Sequence, residues 1–301
     1  MKKLIVNKKY NGKKLSTFLL DNIENLSQNL MYKTLRKKDV KINGKRVNSN
    51  IQIFENDEIL VFISDELLKP KISLDIIFED DNILIINKPY SLEVTGSNSL
   101  TTIVNESYNN SDFNYMPCHR IDRNTTGLVL FAKNQISLDI LLSKFKNHEI
   151  EKHYLALVYG IPKFKYKRNE AYLFKDSKKS YVYISDIYKK GYQKIVTTYN
   201  VLKKYDNNTS FLDVEIETGR THQIRAHLAY LGYPIIGDGK YGKNEINKKF
   251  NKRYQMLQSY MLKFNFNPYS GILEYLNGKS FTLEEKGIER RSELWKMKDI
   301  Q

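Results

Sequence analysis

The chain has 301 residues, 41% of them hydrophobic, and a formal net charge of +15. This length and composition exclude a mainly disordered chain and allow two folded domains with a sizeable core. The single cysteine, Cys118, excludes an intrachain disulfide framework and a zinc site built from cysteines. No apolar run approaches the ~20 residues of a membrane span and no signal peptide is evident, so we expect a cytoplasmic protein without membrane contact.

The positive charge is concentrated near the start of the chain. Residues 1–50 hold 13 Lys and Arg against three acids, so ten of the 15 net charges fall in this segment. The codon bias of an AT-rich genome could raise the lysine content without any function, but it would spread the charge more evenly. The distribution therefore favours a surface that attracts the phosphates of a nucleic acid.

Residues 13–63 have the pattern of one small unit. The periodicity of their apolar residues predicts, in chain order, a helix at 15–23, a basic helix at 27–37, a hairpin at 40–47 and a strand at 57–63. Ser16 is a possible start of the first helix. An Asn-Gly pair, which is a strong signal for a tight turn, lies at the centre of the hairpin. We therefore expect an independent α/β domain at residues 1–64.

This first unit is strongly basic and resembles the S4-like RNA-binding domain. Seven basic side chains and one acid lie between residues 31 and 46. In the S4-like family, two helices and a hairpin present such residues to structured RNA. The resemblance implies RNA contacts from Arg36, Lys37, Lys38, Lys45 and Arg46. The alternative is a solvated charged face on an ordinary small domain.

A polar stretch with Pro70 predicts a linker at residues 65–72, followed by a second domain at 73–301. Strand patterns in this domain cover residues 72–78, 83–87, 128–132, 154–159, 171–174, 181–184, 195–201, 211–217, 261–266 and 280–283, and helical patterns cover 136–145 and 221–231. Strands outnumber helices and follow one another directly. The pattern predicts an α+β domain with a mixed, largely antiparallel sheet and flanking helices.

The segment richest in reactive side chains is HRIDRNTTGLVLFAK at residues 119–133. Its polar first half runs through Gly127 directly into an apolar strand. Catalytic residues commonly lie on such loops at the end of a rigid strand. Asp122 lies between Arg120 and Arg123, and a charged carboxylate is the form that a nucleophile or base needs. We therefore interpret Asp122 as a candidate catalytic residue.

Three segments together resemble the RluA-type pseudouridine synthases. The run at 119–133 is similar to the family pattern H-R-L-D-R-D-T-S-G-L, from which Ile121, Asn124 and Thr126 depart. The run KHYLALVYG at 152–160 is similar to the pattern K-x-Y-L-A-L-V-x-G. A third stretch, at 217–242, matches the family over about 26 residues, and Asn-Lys-Pro at 87–89 is the expected entry strand. The order and spacing agree, and the resemblance covers essentially the whole chain.

The resemblance implies an enzyme that isomerises uridines to pseudouridines within RNA. It assigns the catalytic carboxylate to Asp122, a pocket tyrosine to Tyr154 and an arginine that pairs with the aspartate to Arg225. Arg120 is similar to the residue that fills the space left by a flipped nucleotide. One carboxylate is enough, because water is not the final nucleophile, whereas a hydrolytic glycosidase needs two. The remaining RNA-contact candidates around the site are His119, Arg123 and Arg220.

No cofactor and no metal ion are expected. The sequence contains no phosphate-binding G-x-x-x-x-G-K run, and His222 and His227 are five residues apart, which does not place them on one helix face. RNA is the expected partner, and nothing demands more than a monomer. The N-terminal domain resembles that of the RluC- and RluD-like branch, which acts on large-subunit ribosomal RNA. A synthase for transfer RNA and a non-catalytic RNA-binding or ribosome-assembly factor are the alternatives.

Overall fold

The structure of the chain is a computed structural model, which describes residues 1–68, 73–108, 112–267 and 269–283. The chain divides into two compact units, Met1–Ser73 and Leu74–Gln301. The last four residues of the linker predicted at 65–72 lie outside the described part, and its first four, Asp65–Leu68, form a 3-10 helix. Among the described residues, no helix is both long and apolar enough to cross a bilayer.

The first unit is a four-stranded antiparallel sheet in the order β1-β4-β2-β3 with two helices. Its elements are β1 (Lys2–Ile5), α1 (Leu15–Asn22), α2 (Gln28–Arg36), β2 (Val40–Ile42), β3 (Lys45–Val47) and β4 (Glu58–Val61). The core is an apolar cluster to which both helices and the sheet contribute. Because burial of apolar area is the main favourable contribution to folding, this core holds the unit together.

Local signals explain most of these boundaries. The predicted hairpin is confirmed: β2 and β3 pair, and Asn43 and Gly44 take the positive φ angles of 47° and 80° that a tight hairpin turn requires. The Ser27 hydroxyl caps α2 by accepting a hydrogen bond from the Leu30 amide at 3.3 Å. The suggested helix start at Ser16 was wrong. Helix α1 begins at Leu15, and Ser16 instead hydrogen-bonds with the side chain of Asn50.

The second unit is built on an eleven-stranded sheet in the order β11-β10-β12-β13-β9-β14-β8-β6-β5, with β15 beside β14 and β7 beside β8. Its strands are β5 (Ile76–Glu79), β6 (Ile83–Lys88), β7 (Met116–Pro117), β8 (Thr126–Ala132), β9 (Ile150–Tyr159), β10 (Tyr166–Asp176), β11 (Tyr181–Ser185), β12 (Gln193–Tyr205), β13 (Thr209–Ile216), β14 (Leu257–Phe264) and β15 (Ser280–Thr282). Only β8 and β14 pair in parallel within the described ranges. The predicted mixed, largely antiparallel sheet is confirmed.

The described residues of this unit include four α-helices: α3 (Leu100–Tyr108), α4 (Gln135–Lys146), α5 (Gln223–Tyr230) and α6 (Asn244–Lys249). Helix α5 contributes Ile224 and Leu228 to the large apolar core, and Ala226 to a smaller core against β10, β11 and β12. This packing fixes the direction in which the polar residues of α5 point, since a rigid helix cannot rotate without losing these contacts.

A glycine brings β8 and β14 together. Gly127 has a φ angle of 109°, and a Cβ atom at this position would lie 2.0 Å from the carbonyl oxygen of Ser259. No other residue type can therefore occupy it without moving β14 away from β8. The close approach matters because β8 starts at Thr126, immediately after the loop that contains Asp122. The glycine thus fixes the height of this loop above the sheet.

Candidate active site

A cleft of about 310 Å³ opens in the second unit, at the lower end of the range for ligand pockets. Basic, aromatic and apolar side chains line it, and Asp122 is the one carboxylate among the described lining residues. The lining residues are Cys118, His119, Arg120, Ile121, Asp122, Thr125, Phe145, Lys146, Lys152, Tyr154, Ile216, Gly219, Arg220, His222, Gln223, Ile224, Arg225 and Leu257. The lining comes from the loop before β8, from the end of α4, from β9, β13 and β14, and from α5 with the loop that precedes it.

Asp122 lies at the turn that leads into β8. The Thr125 amide donates a hydrogen bond to the Asp122 carbonyl at 3.0 Å, and Thr125 is itself held by the buried side chain of Gln255 at 2.7 Å. The Asp122 side chain is 25% exposed. Its Oδ2 atom accepts a hydrogen bond from Arg225 Nη1 at 2.8 Å, while Oδ1 has no hydrogen-bond partner among the described residues. One carboxylate oxygen is therefore held and the other is available in the cleft.

Arg225 is shared by two aspartates. Its Nε and Nη2 atoms donate to the two carboxylate oxygens of Asp238, at 2.7 and 2.9 Å, so that only Nη1 remains for Asp122. Burial opposes the charge of the guanidinium, but the hydrogen bonds and charge of Asp238, with a contribution from Asp122, raise the pKa of Arg225. The ring of Tyr241 lies 5.3 Å from the guanidinium carbon. Planar, bidentate pairing of this kind fixes orientation as well as charge.

Asp238 belongs to a turn that is itself tightly held. Its side chain is fully buried, and the amides of Lys240 and Tyr241 donate to its Oδ1 atom at 2.8 and 3.1 Å. Burial acts against its ionisation, but the bonds and charge of Arg225 and these two amides lower the pKa of Asp238. The preceding Gly237 has a φ angle of 81° and lies against the Tyr254 carbonyl, so a side chain cannot replace it. Asp238 is a fixed anion that positions Arg225.

Tyr154 lies on β9 and is 5% exposed. Burial raises the pKa of its hydroxyl, and the negative charge of Asp122 raises it further. The side chain is therefore a neutral phenol near pH 7. It can donate a hydrogen bond and offer its ring to a flat ligand, but it cannot act as an ionised base. Ile216 and Leu257 add apolar surface to the same cleft.

Lys88 holds the backbone of the aspartate loop, the loop before β8 that contains Asp122 and Arg123. Its side chain is fully buried, and its Nζ atom donates to the carbonyls of Pro89, Leu92 and Arg123 at 2.8, 2.8 and 3.0 Å. Burial lowers the pKa of Lys88 to about 8, and the charge of Asp122 acts in the opposite direction. Because Arg123 directly follows Asp122, this ammonium group ties the backbone of the aspartate loop to the end of β6.

The other predicted site residues of this unit lie around the cleft with different surroundings. Arg120 and Arg220 are exposed and line it, whereas Arg123 is exposed and reaches the Ser91 carbonyl at 3.4 Å. His119 also lines the cleft, but its Nε2 atom accepts the Leu130 amide at 3.1 Å. Burial and the neighbouring Lys152 lower the pKa of His119 to about 3, so it is a neutral imidazole.

The predicted RNA-contact residues of the first unit are placed differently. Arg36 and Lys37 stand at the end of α2, Lys38 follows, and Lys45 and Arg46 lie on β3. All five side chains are exposed. Within the described residues none of them forms an ion pair with a carboxylate. They form a basic surface on the first unit, and the cleft belongs to the second.

The sequence analysis gave no role to Asp238 or Lys88. Asp238 stood in the third family segment, and its signal was a Gly-Asp-Gly turn after a helix that carries an arginine. Lys88 was visible as a charged residue at the end of an otherwise apolar strand, ILIINK. Both act through contacts with residues distant in the sequence, which local patterns do not reveal.

One group of described residues has the chemistry of metal ligands. The ligand atoms of Glu151, His153 and Glu215 lie within 4.8 Å of one another. None of the three lines the cleft. Two of the three already have partners, because His153 Nδ1 lies 3.1 Å from Asp213 and Lys263 Nζ lies 3.3 Å from Glu151. The geometry is that of an ion-pair network on the face of β9 opposite Tyr154.

Comparison with known proteins gives the class that carries this fold and cleft. Residues 82–230 match the RNA pseudouridylate synthase family. The ribosomal large subunit pseudouridine synthase C of Rickettsia felis is 36% identical over 243 residues, which cover 73% of this chain and 79% of that protein. The protein of the same name from Rickettsia typhi is 32% identical over 302 residues, covering 91% and 93% of the two chains.

The solved structures agree on the fold. The human protein RNA pseudouridylate synthase domain containing 1 aligns with a TM-score of 0.56 at 21% identity, over 76% of this chain and 97% of that chain. Together these matches define an isomerase that acts on RNA. The chain belongs to the RNA pseudouridine synthases, and within them to the RluA-type family, as its motifs predicted.

Proposed function

We propose that this enzyme converts uridines of large-subunit ribosomal RNA to pseudouridine, with Asp122 as the catalytic carboxylate. The observation that carries the proposal is the placement of Asp122, which has one oxygen bound to Arg225 and the other without a partner in the described part of the cleft. A nucleophile or base needs a fixed position and a free lone pair, and this geometry supplies both. The two relatives above carry the large-subunit name in full, which supports the choice of RNA.

The reaction needs only one carboxylate. The glycosidic bond between N1 of the uracil and C1′ of the ribose breaks, the base turns, and C5 bonds to C1′. A proton leaves C5 and N1 gains one, so that no water, oxidant or cofactor is consumed. Asp122 acts as nucleophile or as base in this sequence. A water-activating second carboxylate, which a glycosidase requires, has no place in it.

Tyr154 and Arg225 have supporting roles in this proposal. The neutral phenol of Tyr154 gives the detached base a ring to lie against and a hydrogen-bond donor. Arg225 orients Asp122 and balances its charge, because Asp238 fixes the guanidinium from the other side. The fixed arrangement is set before the substrate enters, and such preorganised charges stabilise a transition state most effectively.

Arg120, Arg123 and Arg220 are proposed RNA contacts around the cleft. A uridine must leave its stack to reach Asp122, which costs a few kcal/mol. The exposed guanidinium of Arg120 can stack in the gap that the nucleotide leaves. His119 contributes to the site as a neutral side chain of the cleft wall, since its ring already accepts a backbone hydrogen bond.

We propose that the first unit is an S4-like RNA-binding domain. Arg36, Lys37, Lys38, Lys45 and Arg46 are exposed and lack carboxylate partners in the described chain, so they are available to phosphates. The protein is proposed to act as a monomer. The cytoplasm is the proposed location, because ribosomal RNA is the proposed substrate.

The test is a pseudouridine map of ribosomal and transfer RNA from cells that lack this protein, complemented with the wild type or with Asp122→Ala. Specific sites in large-subunit RNA should vanish, and only the wild type should restore them. If the wild type restored only sites in transfer RNA, the substrate would be transfer RNA and not large-subunit ribosomal RNA. Full restoration by Asp122→Ala, or an unchanged map, would contradict the proposal and favour an RNA-binding or ribosome-assembly factor.

A further inference from the structure

Three lysines are buried among the described residues, and two of them have evident partners. Lys88 donates to three backbone carbonyls. Lys144, 7% exposed, pairs with Glu149 at 2.5 Å and donates to the Asn267 carbonyl at 3.1 Å. Both follow the rule that a buried ammonium group is hydrogen-bonded or paired with a charge.

Lys152 is the exception. It is 7% exposed, as deeply buried as Lys144, yet its Nζ atom has no hydrogen-bond acceptor and no carboxylate within ion-pair distance in the described part of the chain. Its one defined contact is the ring of Phe145, whose centroid lies 5.4 Å from Nζ. The Nζ atom itself keeps some contact with solvent in the cleft, and its cation–π contact is weaker than the ion pair of Lys144.

The position of Lys152 is next to the reaction centre. Lys152 and Tyr154 are two residues apart on β9, so their side chains leave the same face of the strand, about 7 Å apart. Both line the cleft. Glu215 is the nearest acid that influences Lys152, but it pairs in register with His153 and therefore lies on the opposite face. On the cleft side, the one carboxylate among the described lining residues is Asp122, and it is bound to Arg225 rather than to Lys152.

Apart from Asp122, the ionisable side chains that line the cleft are basic or neutral. Arg120 and Lys146 line it together with Lys152, and the His119 imidazole is uncharged. Cationic side chains that line one cleft, one of them without a carboxylate partner in the described residues, can attract an anion. RNA carries a phosphate on each side of every nucleotide, and these are the anions nearest to a uridine that has entered the cleft.

We propose that Lys152 binds a backbone phosphate adjacent to the target uridine. This inference rests on the proposed function, because it takes RNA in the cleft as given. A phosphate supplies the counter-charge that the Lys152 ammonium group lacks in the described part of the chain, and the contact forms when a flipped nucleotide is in place. Lys152 then acts as a positioning residue, which sets the distance between the glycosidic bond and Asp122.

The test uses a fragment of large-subunit RNA around a uridine that the wild type modifies. The fragment is made unmodified and with an uncharged methylphosphonate on the 5′ or the 3′ side of that uridine. Equilibrium affinity is measured as a function of KCl for the wild type, Lys152→Met and Lys152→Arg. Lys204→Met is the control, since it removes an exposed lysine of β12 that does not line the cleft.

Lys152→Met should weaken binding about tenfold and lower the salt slope by about 0.7, the value for one contact to single-stranded RNA. Lys152→Arg should restore most of both. One of the two methylphosphonates should weaken RNA binding by the wild type by a similar factor. The same substitution should change the affinity of Lys152→Met by no more than about twofold. Lys204→Met should bind like the wild type. Equal effects of both methylphosphonates on wild type and Lys152→Met would overturn the assignment, as would wild-type affinity of Lys152→Met.

Two further readouts separate the possible failures. If Lys152 only packed against its neighbours, Lys152→Met would lower the urea midpoint, whereas removal of a charge without a partner should leave the midpoint unchanged or raise it.

If the wild type modifies no ribosomal site, the proposed function fails. Lys152 is then tested by calorimetry with uridine 3′,5′-bisphosphate against uridine. Tighter binding of the bisphosphate by the wild type but not by Lys152→Met supports the phosphate contact, and equal preference in both removes it.

Discussion

The two units of this enzyme differ in whether their charged side chains are exposed or buried. In the first unit, Thr34 is the one polar side chain buried among the described residues, and the basic residues lie on the surface. In the second, charged side chains are buried at Lys88, Lys144, Lys152, Arg225 and Asp238, along with others. Exposed charges stay hydrated, so they cost little free energy on folding, and they attract a polyanion over a distance. Buried charges demand partners, and in return they fix positions.

The contrast indicates a division of labour between the units. Surface lysines can be removed one at a time with little effect on folding, because solvent screens them. Arg225, Asp238 and Lys88 of the second unit cannot, since Arg225 and Asp238 are buried partners of each other and Lys88 anchors the loop of Asp122. The exposed residues of the first unit should therefore contribute mainly to RNA affinity, whereas the second unit should set the geometry of the reaction and contact the target nucleotide.

The largest effect on stability is expected at Arg225. Arg225→Met leaves the fully buried Asp238 without its partner, and the free energy of unfolding should fall by about 3 to 5 kcal/mol. Urea unfolding followed by circular dichroism measures it, and isomerisation should be lost as well. Arg220→Met is the matched control, because this arginine is exposed at the cleft, and it should stay within about 0.5 kcal/mol of the wild type. Equal stabilities of the two variants would contradict the buried network.

A smaller loss of stability is expected at Lys88. Lys88→Met removes three hydrogen bonds to backbone carbonyls and should reduce the free energy of unfolding by roughly 2 kcal/mol. Isomerisation should slow more than RNA binding weakens, because the loop of Asp122 loses its anchor. Single-turnover kinetics and an affinity measurement separate the two. A variant with wild-type rate would show that Lys88 does not position this loop.

The first unit should show the reverse pattern. Changing its five exposed basic residues to glutamine should weaken RNA affinity about tenfold or more and lower the salt slope by up to about 0.9 for each lost contact. Stability and single-turnover rate at saturating enzyme should hardly change. The changed residues are Arg36, Lys37, Lys38, Lys45 and Arg46. A control with Lys8, Lys9, Lys13 and Lys14 changed to glutamine removes a similar charge from the same unit, and an equal loss of affinity there would refute a defined RNA surface.

The smallest expected effect is on the pH dependence of stability, through His153 in the ion-pair network on the face of β9 opposite Tyr154. Burial opposes the charge of His153, but the hydrogen bond and charge of Asp213 outweigh it and raise its pKa above the ordinary 6.5. The stability that His153 contributes is therefore fully present below 6.5 and is lost as pH rises through the raised pKa. The gap in urea midpoint between the wild type and His153→Gln should be wider at about pH 5 than at about pH 9. A gap that is constant or widens with pH would exclude this role.

Much of the fold followed from local patterns in the sequence, and the exceptions have physical reasons. Strand β1 was not predicted, because lysines surround its short apolar run. Helix α3 has the sequence LTTIVNESY, whose β-branched and Asn or Ser residues are weak helix formers, and it is held by packing of Leu100 and Val104. Helix α6 buries no side chain and so leaves no apolar stripe to detect.

The site could be predicted where its residues lie in recognisable runs. Asp122, Tyr154 and Arg225 each stand in a segment that resembles the family, and the structure brings Asp122 and Arg225 within hydrogen-bond distance. Asp238, Lys88 and Lys152 stood in the same segments, but their importance lies in burial and in which partners they have or lack. These properties arise from contacts between distant parts of the chain, which a pattern of residue types does not contain.

The most direct test of the catalytic role of Asp122 compares Asp122→Asn with Asp238→Asn. The two aspartates bind the same guanidinium, but Asp122 is partly exposed and Asp238 is fully buried. Single-turnover isomerisation and urea unfolding are measured for both variants. Asp122→Asn should abolish turnover and stay within about 1 kcal/mol of the wild type in stability, whereas Asp238→Asn should be destabilised by about 3 kcal/mol or more. Turnover above a few per cent of wild type in Asp122→Asn would contradict a catalytic role for Asp122.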